Sequence, residues 1–239
     1  MNGKTGNRRT APHLLPNRRP GRRERHRAEM RERIYRAALK LFAERGFLET
    51  TVEQITEAAD VGKGTFFNYF PTKEHVIGCY GEERIQEIER SLERARSRKE
   101  PVLAVLRDLA TSLAGQSSES PDLIRSVFAA NLSCAPVRAE LQKRIHRGRE
   151  LLGQIFAIGQ ERGEIRRDFA PTELGGLMRL IFMGVTIAWA INPEASLPRT
   201  AERVWDLWSP SLRTESARVA AESQSKSKSV RRNRHRSES

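Results

Sequence analysis

Between Thr51 and Phe70 the apolar positions fall into two short helical runs with a break between them. Val52, Ile55, Ala58 and Ala59 recur at spacings of three and four, one face of an α-helix. Thr51 opens that run, and Gln54 three residues on completes a capping-box pattern. Asp60 falls at the break, where a residue tolerant of left-handed backbone is needed. Gly62 to Phe70 then reads as a second short helix, stopped by Pro71. Thr72 is placed to cap the next helix, with Glu74 in its first turn against the macrodipole. Two compact helices joined this tightly predict a helix-turn-helix, whose second helix reads the DNA major groove.

The rest of the chain is also helical in pattern. Ile34, Ala37, Ala38, Leu41 and Phe42 form one stripe of a helix over 27–45, closed by Gly46 with Phe47 packing beyond it. A long helix follows from Thr72 to about Lys99, and Pro101 starts another. Ser120-Pro121 is a start signal, a capping Ser before Pro at the first helical position. Pro136 opens a helix to about Arg162, Pro171 one to Ile191, and Pro198 one to Trp208. Pro171–Ile191 is apolar on much of its circumference, which predicts burial on more than one side. Gly175, Gly176 and Gly184 within it leave room for close helix approach. Almost nothing between Arg27 and Trp208 reads as strand, so the expected fold is all-α with about nine helices. The expected divisions are a disordered basic arm (1–26), a three-helix DNA-binding unit (27–74), a helical effector-binding and dimerisation domain (75–210) and a disordered basic tail (211–239).

Charge changes the picture of the ends. The chain carries a formal +13, of which residues 1–33 hold +8 and residues 211–239 hold +5. The body from Ile34 to Pro210 is formally neutral. Basic ends favour a polyanion, and such an arm can reach phosphates or a minor groove. No stretch of about 18 uninterrupted apolar residues is present. The nearest, Leu177 to Ile191, contains Arg179. The basic N-terminus has no signal-peptide core, so a cytoplasmic protein with no membrane partner is expected. Cys79 and Cys134 alone make neither a disulfide framework nor a zinc motif. The five histidines are scattered, and no HExxH, P-loop, GxGxxG or nucleophile elbow is present. No cofactor, metal or catalytic constellation is expected, and an enzyme is disfavoured.

Gly46-Phe47, Thr51, Ile55, Ala58, Val61, Gly64, Phe67, Tyr69-Phe70 and Lys73-Glu74 together resemble the tetracycline-repressor (TetR) family of bacterial transcriptional regulators. The motif match runs from Ile34 to Val76; beyond it only the helical layout agrees. The resemblance implies a homodimer whose two heads bind double-stranded DNA at a palindromic operator, with an unknown small-molecule effector bound in the C-terminal domain. It places Lys63, Thr65, Phe66 and Asn68 near bases or the adjacent backbone. Lys63 would meet guanine or a phosphate, Thr65 and Phe66 a thymine methyl, and Asn68 adenine or a phosphate. One of Phe66 and Phe67 must be core, and Phe67 is assigned inward. Tyr69 and Lys73 resemble the family's phosphate contacts, Thr51 is a phosphate contact compatible with capping, and Gly64 allows close backbone approach. Asp60 departs from the glycine common in the family's turn and is expected to point away from DNA or to cap the reading helix.

Phe128, Leu132, Ile155, Phe156, Phe182 and Trp189 are the candidate pocket lining, which suggests a largely apolar effector. By the family's layout the last two long helices form the dimer interface, with Leu174, Leu177, Met178, Ile181, Val185, Val204, Trp205 and Trp208 as its candidates. The favoured function is a repressor that leaves its operator on binding effector, with Thr72–Lys99 transmitting the change. The rival is a tail-driven, nonspecific nucleic-acid binder whose body serves only to dimerise.

Overall fold

A computed structural model describes residues 21–118 and 120–214. The described residues form an all-α fold: α1 (Arg22–Arg45), α2 (Val52–Ala58), α3 (Lys63–Tyr69), α4 (Lys73–Arg96), α5 (Val102–Ser117), α6 (Pro121–Ser133), α7 (Ala135–Glu161), α8 (Pro171–Ile191) and α9 (Leu197–Leu212). Extended pairing among them is confined to one bridge between Ile165 and Arg213.

The local signals act as the sequence dictates. Gly46 ends α1 at φ +87°, where a side chain would be strained, and its N–H donates to Phe42 O. Thr51 and Gln54 form the capping box: Thr51 Oγ1 accepts from Gln54 N at 3.3 Å, and Gln54 Oε1 from Thr51 N at 3.0 Å. Asp60 carries the turn at φ +49°. Ser120 Oγ accepts from Leu123 N at 3.1 Å and starts α6.

Both expected ends are shorter than the charge pattern suggested. Arg22–His26 belong to α1, because Gly21 N donates to Glu24 Oε2 at 2.8 Å and so starts the helix earlier. Residues 1–20 lie outside the described residues. At the other end α9 runs to Leu212 with Pro210 in its last turn, where few helical bonds remain to be broken. Arg166 N donates to Leu212 O at 2.8 Å and fixes that end on the α7–α8 connection. The rest of the expected tail, 215–239, lies outside the described residues.

Two buried clusters organise the bundle. The first joins α1, α2, α3 and the start of α4 through Ile34, Phe42, Phe47, Ile55, Phe66 and Phe70, and continues into Ala130 of α6 and Val137 of α7. The second joins α4, α5, α7, α8 and α9 through Leu92, Leu106, Phe156, Met178 and Trp205. Two elements belong to both halves. Helix α4 runs from the first cluster into the second without interruption. Helix α6 packs on α1 by one face and on α7 and α8 by another.

Helices α7 and α8 approach closely where glycine permits. A Cβ on Gly175 would lie 2.9 Å from Leu152 Cβ and 3.0 Å from Gly153 N. Gly176 and Gly184 face open space and serve no such contact. Helix α8 is longer than the apolar run read from the sequence. Its 21 residues are long and apolar enough to cross a membrane by length and composition alone. Its Leu174 and Met178 side pack into the bundle.

This burial corrects part of the expected dimer face. Leu174, Met178 and Trp205 are each 3% exposed within one protomer and have no surface to offer a second. Trp208 packs on the same core, edge-on to Phe156 at 6.5 Å, and Val185 lines a cavity described below. Leu177 is exposed, and Ile181 and Val204 are half-buried. The strongly exposed apolar residues of α8 and α9 are instead Leu180, Ile191 and Leu207.

Candidate functional site

The reading helix α3 rests on two phenylalanines. Phe66 is fully buried and Phe70 is 1% exposed, with ring centroids 5.9 Å apart on the inward side. Their i,i+4 spacing fixes the helix rotation and leaves Lys63, Gly64, Phe67 and Asn68 exposed as one outward strip. The assignment of Phe66 outward and Phe67 inward is therefore reversed: Phe67 is 50% exposed and Phe66 is core. The exposed aromatic of the helix is therefore Phe67, and Phe66 holds the helix from behind. Thr65 and Tyr69 lie half-buried at the edges of the strip.

Lys63 Nζ lies 2.5 Å from Glu53 Oε1 across the turn, and both side chains are more than half exposed. The hydrogen bond from Lys63 holds the Glu53 carboxyl below its usual range. Exposed pairs of this kind contribute little, so a phosphate or a guanine can take Lys63 from Glu53 at small cost. Gly64 has nothing within 4 Å of where a Cβ would stand and has no left-handed φ. The protein's own packing does not require glycine there, and the position leaves backbone open to close approach from outside. Thr51 is exposed and caps α2, so both expected roles are compatible.

Lys73 departs from expectation. Its Nζ donates to Phe47 O at 2.9 Å, Thr50 O at 2.9 Å and Leu48 O at 3.3 Å, and sits 4.6 Å from the Phe47 ring centroid. An ammonium has three donors, and all three are taken by the loop between α1 and α2. Its side chain is a clamp on that loop rather than a free phosphate contact. Replacing Lys73 by Met is expected to destabilise the protein by about 1–2 kcal/mol, because three loop carbonyls, two of them part-buried, lose their charged donor. Urea denaturation measures this; unchanged stability would return Lys73 to the phosphate role. Two further supports were not singled out from sequence. Thr50 is buried and donates to Gly46 O at 2.7 Å, and Arg33 donates to Asp60 O at 3.1 Å. Asp60 does not cap α3, whose N-cap is Gly62 with no side-chain bond.

The second candidate site is a cavity of about 240 Å³ among α4, α5, α6, α7 and α8, with α9 at its edge. Of the residues expected to line it, Phe128 and Phe182 do. Ile155 and Phe156 are ordinary core, and Leu132 is 77% exposed. Trp189 turns away, its Nε1 donating to Ala195 O at 2.8 Å. The wall is mainly aliphatic, with Ile85, Leu109, Val127 and Ile145. It also carries Arg84, Arg144 and Arg179, which sequence reading did not assign to it. An arginine inside the apolar run 177–191 was the visible signal. Burial pushes the guanidinium pKa of Arg144 and of Arg179 down. Among the described residues no group of His, Cys, Asp and Glu is arranged to hold a metal.

Residues 34–78 match the model for "Bacterial regulatory proteins, tetR family". Along most of its length the chain is similar to the HTH-type transcriptional repressor DhaR of Mycobacterium sp. strain GP1, at 28% identity over 70% of this chain and 85% of that protein. Among solved structures, Thermus thermophilus FadR, a TetR-family transcriptional repressor in complex with lauroyl-CoA, is 33% identical over 77% of this chain and 96% of its own, with a TM-score of 0.57. Salmonella enterica GusR is 26% identical over 74% and 93%, with a TM-score of 0.59.

Proposed function

Because this chain belongs to the tetR family of bacterial regulatory proteins, we propose that it is a ligand-responsive repressor acting in the cytoplasm as a homodimer on a palindromic operator. The observation that carries this reading is the outward strip of α3, in which Lys63, Gly64, Phe67 and Asn68 face away from a buried Phe66–Phe70 base. Such a strip presents a cation, a bare backbone, an apolar ring and an amide to base edges. Thr65 and Tyr69 at its edges, and Thr51 at the start of α2, supply phosphate and sugar contacts. One head offers few contacts, and a two-fold dimer doubles them at a fixed spacing.

The cavity is the effector site in this reading. Its mainly aliphatic wall suits a small, largely apolar molecule. FadR, crystallised with lauroyl-CoA, is a relative whose ligand carries such a chain. The coupling route follows from which helices share the two clusters. Helix α4 lines the cavity with Tyr80 and Arg84 and places Val76 and Ile77 in the head. Helix α6 lines it with Phe128 and Val127, and Val127 also packs against the head cluster. A ligand that shifts either helix alters the pose of α1 and α3, and so the spacing of the two reading helices. Operator and effector then bind with reciprocal coupling.

Selection of bound sequences from randomised duplex DNA, at near-physiological salt, tests the reading. A recovered palindrome with two half-sites is expected, and replacing Tyr69 by Phe should weaken its binding without unfolding the protein. The basic ends favour the rival reading, because residues 1–20 and 215–239 hold +9 of the net +13. Deleting 1–20 and 215–239 should leave sequence preference intact. If retention is lost with the tails and no motif emerges, the repressor reading is wrong.

A further inference from the structure

The cavity wall is one-sided in charge: three arginines line it, and no aspartate or glutamate does. Arg84 is satisfied by neutral groups, donating to Ser117 Oγ at 2.7 Å and Leu113 O at 3.3 Å, and so bolts α4 to α5. The other two lack such partners. Arg179 has one weak contact, Nη1 to Met183 Sδ at 3.6 Å, and its Nε is buried with no acceptor. Arg144 makes no hydrogen bond among the described residues. The carboxylates nearest to it in charge, Glu82 and Glu140, are engaged by Arg147 and Lys143. Its guanidinium lies across α4 in space left by glycine, since a Cβ on Gly81 would stand 2.6 Å from Arg144 Nε. A guanidinium cannot shed its proton, so partial burial leaves Arg179 a cation with no carboxylate partner in an apolar wall, and Arg144 one whose nearby carboxylates are shared with other cations.

We propose that the cavity takes an acidic amphiphile: one aliphatic chain along the apolar wall, with an anionic head held by Arg179 and assisted by Arg144. This rests on the reading of the cavity as the effector site and names its ligand class. A carboxylate or phosphate matches the fork of a guanidinium and forms charge-assisted bonds that a neutral head cannot. A neutral ligand of equal chain length would leave Arg179 unpaired and Arg144 only weakly compensated. Discrimination between acid and neutral forms should therefore be large, while chain length sets fit.

The test uses the full chain and isothermal titration calorimetry. The probes are straight-chain carboxylates from hexanoate to tetradecanoate, with decan-1-ol, methyl decanoate and decyl phosphate as comparators. The best carboxylate, or decyl phosphate, should bind at least about tenfold more tightly than the alcohol or ester. Arg179→Met, which keeps the stem, should abolish that preference while retaining decan-1-ol binding, and Arg179→Lys should restore part of it. Arg144→Met and Gly81→Ala should each narrow the preference, the latter by displacing the Arg144 side chain. Equal binding of acid and neutral probes would overturn the proposal and leave the effector site standing. So would a preference that survives in Arg179→Met. If no probe of any length binds, both the ligand class and the cavity's role as effector site fall.

Discussion

Replacing Phe66 by Ala is expected to cost about 3–5 kcal/mol and to abolish DNA binding by unfolding the reading head. The ring is fully buried and packs on Phe70 at 5.9 Å and edge-on to Phe67 at 5.4 Å. The head is a small three-helix unit, and its other buried phenylalanines, Phe42, Phe47 and Phe70, are held in place by their own helices and loop and cannot move to fill the void. Relaxation around so large a deletion is partial, which places the loss toward the upper part of that range. The adjacent change gives the contrast. Phe67 is half exposed, so Phe67→Ala should alter stability by no more than about 0.5 kcal/mol. It should nevertheless weaken operator binding, because it removes the apolar member of the outward strip. Urea denaturation of both variants, with operator affinity measured beside it, decides the matter. A Phe66→Ala protein as stable as the parent would mean that α3 is rotated from the orientation described here.

The same pair shows what the sequence could and could not specify. Adjacent residues on a helix point about 100° apart, so one of two neighbouring phenylalanines must turn outward. Phe70 is core in either case, and it sits four residues from Phe66 and three from Phe67. Both spacings make a helical face, and α3 is too short for further apolar positions to break the tie. Caps and breaks, in contrast, are local chemistry and were readable one by one. Thr51 with Gln54, Asp60 at positive φ, Gly46 and Ser120 all behave as their residue types require.

The cavity was less legible for a reason of the same kind. Apolar residues on α7 and α8 were visible, but whether each faces filled or empty space depends on how five helices meet. Ile155 and Phe156 fill the core, while Phe128 and Phe182 border the cavity. The arginines carried more information than the aromatic residues. An arginine in an apolar run must find a counter-charge, a water path or a ligand, and Arg179 stood in such a run. Lys73 is the converse case. Its position at a helix start resembled a phosphate contact, yet the neighbouring loop carbonyls of Phe47, Leu48 and Thr50 claim it first. Nothing in the local sequence reveals three carbonyls gathered from a loop some 25 residues earlier.

Replacing Leu207 by Glu is expected to convert the protein to monomers and to lower affinity for a two-half-site operator at least about 100-fold. Leu207 is 84% exposed on α9, and Leu180 and Ile191 are 51% and 72% exposed on α8. Alone in water these side chains gain nothing from their position. Covered by the same face of a second copy, each contributes the burial of a large aliphatic group, about 1.5–3 kcal/mol. An isologous interface repeats every substitution, so one glutamate per chain brings two carboxylates into the same apolar seam. The facing strip of α8 offers only leucine, isoleucine, glycine and alanine, and the cation within reach, Arg203 one turn earlier on α9, makes with the new glutamate an exposed pair too weak to offset the burial of two carboxylates. The variant protomer should keep its helical content, since Leu207 supports nothing inside it, and its unfolding midpoint should lose the dependence on protein concentration that a dimer shows. Binding to an isolated half-site should likewise be unchanged, because α3 lies in the head cluster and Leu207 does not. Sedimentation velocity and operator titration separate these quantities. A Leu207→Glu protein that remains dimeric would place the two-fold contact on another face, and the spacing of the reading helices would then have to be set without α9.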